Sequence, residues 1–189
     1  MILPKVRDPR LVTIRRGGLL TDPDHHLLAL WAAACAEHVL DLFEAECPSD
    51  LRPRHAIAGA RAWAAGELAM MQSRAAGGHA MGAARPLSGA ARFAAYAAGQ
   101  AACIPHVPEH DLGAAAYAIK AAQAAAAAGD DGEAAARREC QWQLDQLPDP
   151  IRALVFDDQA RRNPICWSVF TEPGPLAAGP THPSGGLQR

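Results

Sequence analysis

Residues 88–103 read SGAARFAAYAAGQAAC, and residues 110–128 read HDLGAAAYAIKAAQAAAAA. Alanine, the residue with the highest intrinsic helix propensity, fills most positions of both stretches. Pro105 stops the first stretch, and Pro108 suits the first turn of the second, where a helix needs no backbone N–H donor. The sequence therefore predicts one helix over residues 88–103 and another over residues 108–128.

The rest of the chain shows similar patterns, interrupted by proline and glycine. Thr21 can cap a helix that has Pro23 in its first turn, and the apolar side chains that follow recur at helical spacing. Five more helices are predicted on such signals, over residues 21–46, 54–65, 68–84, 133–146 and 148–162. Together these features predict an all-α protein, a single-domain, alanine-rich bundle or array of about seven helices.

The two ends of the chain differ from this helical part. Residues 1–20 include the β-prone segment LVTI, which could be a single strand or part of an extended N-terminal arm packed on the helices. Residues 21–170 are expected to form the helical domain. Residues 171–189 hold four prolines and four glycines and are expected to be a flexible tail. The large core side chains are expected to be aromatic: Trp31, Trp63, Phe93, Tyr96, Trp142 and Phe156.

Composition narrows the class of protein. The 189 residues include 44 alanines and carry a formal net charge of −2, so there is no large basic field for nucleic acid. No apolar run approaches the roughly 20 residues that span a bilayer, and the first residues lack the apolar core of a signal peptide. We therefore expect a cytoplasmic protein that contacts neither nucleic acid nor membrane.

The five cysteines contain no C-x-x-C pair and are expected to be reduced and buried.

Two histidines have a spacing found in metal sites. His106 and His110 are four residues apart, as are metal ligands on one helix face. Pro108, however, places the start of the helix between them, and nothing in the sequence specifies a third ligand. They are weak metal candidates only, and no cofactor is predicted. Phosphate-binding loops, dinucleotide fingerprints and hydrolase elbows are missing from the sequence.

Other polar residues suggest an enzyme. His110, Tyr117 and Lys120 fall on one side of their predicted helix and could form the floor of a pocket, where Lys120 would hold an anion. His38 lies three residues before Asp41, a spacing at which a carboxylate raises the basicity of imidazole. In this interpretation five side chains carry out acid–base chemistry: His38, His79, His110, Asp111 and Tyr117.

Basic residues near the N-terminus suggest a binding protein instead. Arg15 and Arg16 precede two glycines and, with Arg7 and Arg10, could hold a partner's carboxylate or a phosphate. Tryptophan and arginine are the side chains most enriched at the energetic centres of protein interfaces. The candidates for contact with a ligand or partner are Arg15, Arg16, Arg61, Trp63 and Lys120.

Longer stretches of the chain resemble a known family. They read DPRLVTIRRGG at 8–18, LTDPDHHLLALWAAACAEH at 20–38, RAWAAGE at 61–67, AAGGHAMGAA at 75–84 and HDLGAAAYAIK at 110–120. These stretches are similar to an actinobacterial family of immunity proteins of the immunity-five-like kind. The resemblance implies a protein that binds and neutralises a toxin, and it brings no catalytic motif with it.

Three functions follow from these observations. The first is an immunity-type protein that masks a cognate protein toxin with a preformed helical face, using aromatic and arginine anchors. The second is an enzyme of specialised metabolism that acts on a small-molecule substrate with histidine, aspartate and tyrosine in a pocket of the bundle. The third is a structural module that forms a homodimer through an apolar patch.

Overall fold

The computed structural model describes residues 3–126 and 131–171 of the chain. Within these residues the chain forms eight α-helices, and its β-structure is limited to a single bridge between Thr13 and Leu20. The prediction of an all-α helical array is therefore confirmed. The helices are α1 (Asp22–His38), α2 (Leu40–Glu44), α3 (Arg52–Ala64), α4 (Met70–Ala84), α5 (Gly89–Cys103), α6 (Asp111–Ala125), α7 (Gly132–Asp145) and α8 (Asp149–Arg162).

Helix α5 lies at the centre of the array and packs against α1, α2, α3, α4 and α6. A helix can be enclosed in this way only if it presents no broad polar face. Each alanine side chain buries little apolar area, so the stability of this core depends on close approach of the helix axes. The alanines of α5 with no solvent exposure are Ala94, Ala95, Ala97, Ala98, Ala101 and Ala102.

Larger side chains fill the spaces between the other helices. Trp31 in α1 is 2% exposed, and its indole N–H donates to the carbonyl oxygen of Gln143 in α7 at 2.9 Å. Of the six aromatic residues predicted for the core, Trp31 is the one that is fully buried, and the other five are partly exposed. Aliphatic residues and Phe43 complete the core, among them Leu28, Leu112, Ile119 and Ile151.

Two predicted helix boundaries are wrong. The helix expected over residues 21–46 is divided into α1 and α2 because Val39 leaves helical geometry (φ −116°, ψ 8°). Neither proline nor glycine marks this break, and valine is only mildly unfavourable in a helix. The helix expected from residue 108 begins at Asp111, because Pro108–His110 forms a 3-10 turn.

The N-terminal segment lies against the helices and forms two 3-10 turns, Pro9–Leu11 and Ile14–Arg16. The residues between the two turns are extended, and apart from the single bridge they form no strand. Leu11 and Leu20 are buried in the common core. The Arg7 guanidinium donates two hydrogen bonds to Glu109, at 2.7 and 2.6 Å, and so fastens the segment to the turn before α6.

Three further expectations can be compared with the fold. The predicted tail over 171–189 lies, apart from Thr171, outside the described residues. Four of the five cysteines are buried, Cys47 is partly exposed, and all five are free. Across the described residues, no helix combines the length and the apolar character that crossing a membrane requires.

Candidate functional site

The N-terminal segment and the helical body enclose a cleft of about 360 Å³ between them. Its walls come from the N-terminal segment, the start of α1, the end of α3 and the loop before α6. We call it the arginine cleft. Its charged and aromatic lining consists of Arg7, Arg15, Arg16, Asp22, His25, His26, Trp63 and His106.

A tight turn places the two adjacent arginines at the cleft. Gly17 has a left-handed backbone (φ +80°), and a Cβ on Gly18 would lie 2.0 Å from the carbonyl oxygen of Val12. Glycine is therefore required at position 18 and favoured at position 17. The Gly18 N–H closes the turn by donating to Thr13 at 3.1 Å, and both Arg15 and Arg16 remain exposed.

The three arginines of the cleft differ in how far their charge is already compensated. Arg7 is paired with the buried carboxylate of Glu109, and this pairing raises the pKa of Arg7. Arg15 pairs with Asp22 at 2.6 Å, where both side chains are largely exposed. The Arg16 guanidinium has no hydrogen-bond or ion-pair partner among the residues described. Arg16 therefore offers an uncompensated positive charge at the cleft.

Two adjacent histidines contact the Trp63 ring. The ring centroids of His25 and His26 lie 4.7 and 4.8 Å from that of Trp63, both with edge-to-face geometry. His25 is itself fixed, because its Nε2 lies 2.8 Å from the carbonyl oxygen of Ile104. Burial lowers the pKa of His25. The partly exposed Trp63 is thus a fixed aromatic surface in the cleft wall.

His106 lines the cleft on the other side. Its Nδ1 is buried without a hydrogen-bond partner in the described structure, although the residue as a whole is partly exposed. Burial, followed by the charges of Arg74, Arg16 and Arg7, lowers the pKa of His106. A pKa below the usual 6.5 means that most His106 rings are neutral at pH 7. We infer that its hydrogen sits on Nε2, because a buried N–H with no acceptor is costlier than a buried lone pair.

Of the five residues predicted to contact a ligand or partner, three lie together in the arginine cleft and two do not. The cleft brings together Arg15, Arg16 and Trp63. Arg61 lies two residues before Trp63 on α3, a spacing at which helical side chains face apart, and it pairs with Glu37 at 2.6 Å. Lys120 is elsewhere, bonded to Gln123 at 2.8 Å beside a separate cavity of about 340 Å³.

The five residues proposed for acid–base chemistry have separate surroundings. His79 is exposed on α4. The other four make contacts in different places: His38 with Glu139 and Trp142, His110 with Gln100, Asp111 with Arg162, and Tyr117 with Tyr96 and Trp167. The described residues therefore do not form one acid–base centre from these five.

The expected His38–Asp41 contact is replaced by a longer-range one. His38 Nδ1 lies 2.7 Å from a carboxylate oxygen of Glu139 in α7, and the imidazole stacks on Trp142 with centroids 3.6 Å apart. Because α2 begins after Val39, Asp41 belongs to a different helix from His38. No sequence spacing indicates a partner about a hundred residues away, so this pairing could not be predicted.

The metal candidates are also in separate positions. His110 Nδ1 lies 2.6 Å from Gln100 Oε1, whereas His106 faces the arginine cleft. Burial lowers the pKa of His110 to about 4. In the described part of the chain there is no group of three or more histidine, cysteine, aspartate or glutamate residues suited to hold a metal ion.

Several cleft residues were not predicted to bind a partner. His25, His26 and His106 join Trp63 only through the tertiary fold, whereas Arg7 is among the N-terminal arginines expected to hold a partner's carboxylate or a phosphate. The sequence shows two adjacent histidines, His25 and His26, in the first turns of a helix, but this pattern by itself does not indicate a binding site. The packing of separate segments against one another, rather than their spacing along the chain, brings these residues together.

Comparison with known proteins gives one result. The profile of a family described as Imm-5 like putative immunity protein matches residues 18–150. No curated protein matches the chain, and no solved structure matches it. The matched region includes His25, Trp63 and His106, whereas Arg15 and Arg16 lie before it.

Proposed function

Since this chain belongs to the family of Imm-5 like putative immunity proteins, we propose that it neutralises a cognate protein toxin by binding it. The arginine cleft is the contact surface in this proposal, and the encounter takes place in the cytoplasm. Neutralisation then requires no chemistry by this chain, because covering a toxin's working surface is sufficient.

One observation supports the choice of this surface above all: the partly exposed Trp63 contacts two histidine rings and lines the same cleft as an uncompensated Arg16. Tryptophan and arginine dominate the binding free energy of many protein interfaces. A ring fixed before binding also loses little side-chain entropy on association. The cleft therefore has both the residue types and the preorganisation of an interface centre.

Both walls of the arginine cleft are held in place by contacts with the rest of the fold. One wall is carried by α1 and α3, which pack against each other and against the central α5. The opposite wall is the N-terminal segment, fastened by Leu11 in the core and by the Arg7–Glu109 pair. We expect the backbone of the cleft to move little on binding, as in other preorganised complexes.

The proposal is tested by co-expression with each protein encoded beside this gene, and the toxin is the one that kills the host cells when expressed alone. The wild-type chain is expected to protect the host cells and to bind the purified toxin. Trp63→Ala should weaken binding by about 30-fold or more, the loss typical of an interface hot spot, and should abolish protection at low expression. Circular dichroism checks that the helices are retained.

Two variants serve as matched controls. Trp142→Ala removes a partly buried tryptophan on α7, and Arg61→Gln removes an arginine from α3 outside the cleft. Both should bind the toxin as the wild type does. Equal binding by Trp63→Ala and the wild type would reject the arginine cleft as the contact surface.

A further inference from the structure

Resting on the proposed function, we propose that the arginine cleft binds an acidic segment of the toxin, with one carboxylate seated between Arg16, Trp63 and His106. The partner is thus defined by its chemistry, as a protein surface that presents aspartate or glutamate side chains. The family assignment says nothing about the charge of the partner.

The charge of the cleft lining supports an acidic partner. Its lining contains three arginines and a single carboxylate, that of Asp22. The chain as a whole carries a net charge of −2, so this positive surface is local and does not follow from composition. Glu109 offsets Arg7 and Asp22 offsets Arg15, which leaves Arg16 for a group from outside.

The hydrogen-bonding groups point to the same ligand. A carboxylate only accepts hydrogen bonds, so its site must supply donors. Arg16 supplies a guanidinium, and the indole N–H of Trp63 has no acceptor among the described residues. The neutral His106 supplies one further N–H in the tautomer inferred above. The three side chains line one cleft and are all donors in these states.

The size of the cleft argues for a side chain of a protein. A volume of about 360 Å³ corresponds to roughly a dozen water molecules, enough for one or two carboxylate side chains. A binding site for nucleic acid would require a longer track of positive charge than this cleft has, because each phosphate needs its own cationic contact. The pairing of Arg15 with Asp22 interrupts such a track at the mouth of the cleft.

The experiment uses the full chain, labelled for NMR, and a hexaglutamate peptide as the probe. We expect the peptide to shift the Trp63 indole and His106 ring signals and to raise the pKa of His106, since a carboxylate favours the protonated ring. Raising the ionic strength from about 0.01 M to about 0.15 M should weaken binding, because it shortens the Debye length from about 30 Å to about 8 Å.

Matched variants locate the contact. Arg16→Gln should weaken hexaglutamate binding by about two- to fivefold, the range for an exposed ion pair. Arg54→Gln removes the same charge from α3 outside the cleft, where Arg54 pairs with Glu44, and should leave binding unchanged. Hexalysine should not shift the Trp63 signal. Binding that is absent, that is the same in Arg16→Gln, or that favours hexalysine overturns the inference.

Failure of this inference can be told apart from failure of the proposed function. If Trp63→Ala abolishes protection against the toxin while hexaglutamate does not bind the wild type, the cleft is the contact surface but its partner is not acidic. If hexaglutamate binds in an Arg16-dependent way while Trp63→Ala still binds toxin fully, the carboxylate site is supported and the cleft is rejected as the toxin contact.

Discussion

The guanidinium of Arg162 donates to the carboxylate of Asp111 at 2.9 Å, and both side chains are almost completely buried, at 3% and 0% exposure. Arg162 also pairs with the fully buried Asp158 and donates to the carbonyl oxygen of Glu109 at 2.8 Å. These bonds join the end of α8 to the start of α6. One buried cation thus serves two buried carboxylates, and this arrangement controls several properties of the fold.

Loss of Arg162 is expected to be severely destabilising. Arg162→Met would leave the buried Asp111 without its cation and Asp158 with only the partly exposed Arg161. Breaking a buried ion pair by removing one partner costs about 3–5 kcal/mol. Urea unfolding followed by circular dichroism measures the change. Arg137→Met is the control, because Arg137 is 52% exposed and its pairs with the largely exposed Asp131 and Glu133 are expected to contribute less than about 1 kcal/mol.

Asp111 is expected to make stability fall as pH rises. Burial raises the pKa of Asp111 from its usual 3.8 to about 7. Between these values the folded state keeps a proton that the unfolded state has released, so stability is lost as pH increases through this window. Asp111→Asn removes this titration, and its stability relative to wild type should improve from pH 4.5 to pH 7.5, on the order of 3 kcal/mol.

Urea unfolding at the two pH values checks this expectation. Asp41→Asn provides a control, because Asp41 is an exposed residue of α2. Because the substitution is at an exposed site, it is expected to change stability by less than about 0.5 kcal/mol at either pH. An Asp111→Asn variant that behaves like this control would mean that Asp111 is ionised in the folded protein throughout the range.

His110, in contrast to Asp111, is expected to make stability fall as pH falls. Its folded pKa of about 4 lies below its usual 6.5, chiefly because the ring is buried. Between these values the unfolded state binds a proton that the folded state excludes, so stability is lost as pH falls. The stability of His110→Gln relative to the wild type should therefore increase by about 3 kcal/mol as pH falls from 7.5 to 4.5.

The neighbouring Asp111 and His110 thus titrate in overlapping windows with opposite effects. The wild-type stability curve should be flatter between pH 4 and pH 7 than the curve of either variant. A steep wild-type curve with parallel curves for both variants would contradict this expectation. His79→Gln is the control for the histidine series, because that side chain is exposed on α4.

The sequence was sufficient for the helices but not for these polar contacts. Alanine-rich segments bounded by proline and glycine have few alternatives to helix formation, so local propensity predicted α3 to α8 closely, apart from the later start of α6. The break at Val39 depends on how α1 and α2 meet the core and has no local signal. The burial of Asp111, like the pairing of His38 with Glu139, depends on distant helices.

The residues of the candidate site could likewise be predicted only in part from the sequence. Residue type suggested Arg15, Arg16 and Trp63 as contact residues, and the fold brings these three into one cleft. The equally plausible Arg61 and Lys120 lie elsewhere, because helical phase and tertiary packing decide which surface a side chain joins. Sequence predicted the kinds of residues at the site, whereas the fold determined which of them meet.

A close contact between α4 and α5 gives a final prediction, on two adjacent glycines of α4. A Cβ on Gly77 would lie 2.7 Å from the carbonyl oxygen of Gly99 and 2.9 Å from Cys103 Sγ, both in α5. The backbone oxygen cannot rotate away, so Gly77→Ala would force the helices apart. We expect a net destabilisation of about 1–3 kcal/mol despite the better helix propensity of alanine.

Gly78 is the matched control, because a Cβ there would meet nothing within 4 Å. Gly78→Ala keeps only the gain in helix propensity and should stabilise the protein by about 0.5–1 kcal/mol. Thermal and urea unfolding of the two variants measure the difference directly. Equal stabilisation by both would show that α4 and α5 are separated enough to admit a methyl group, and that the alanine core does not depend on glycine at this crossing.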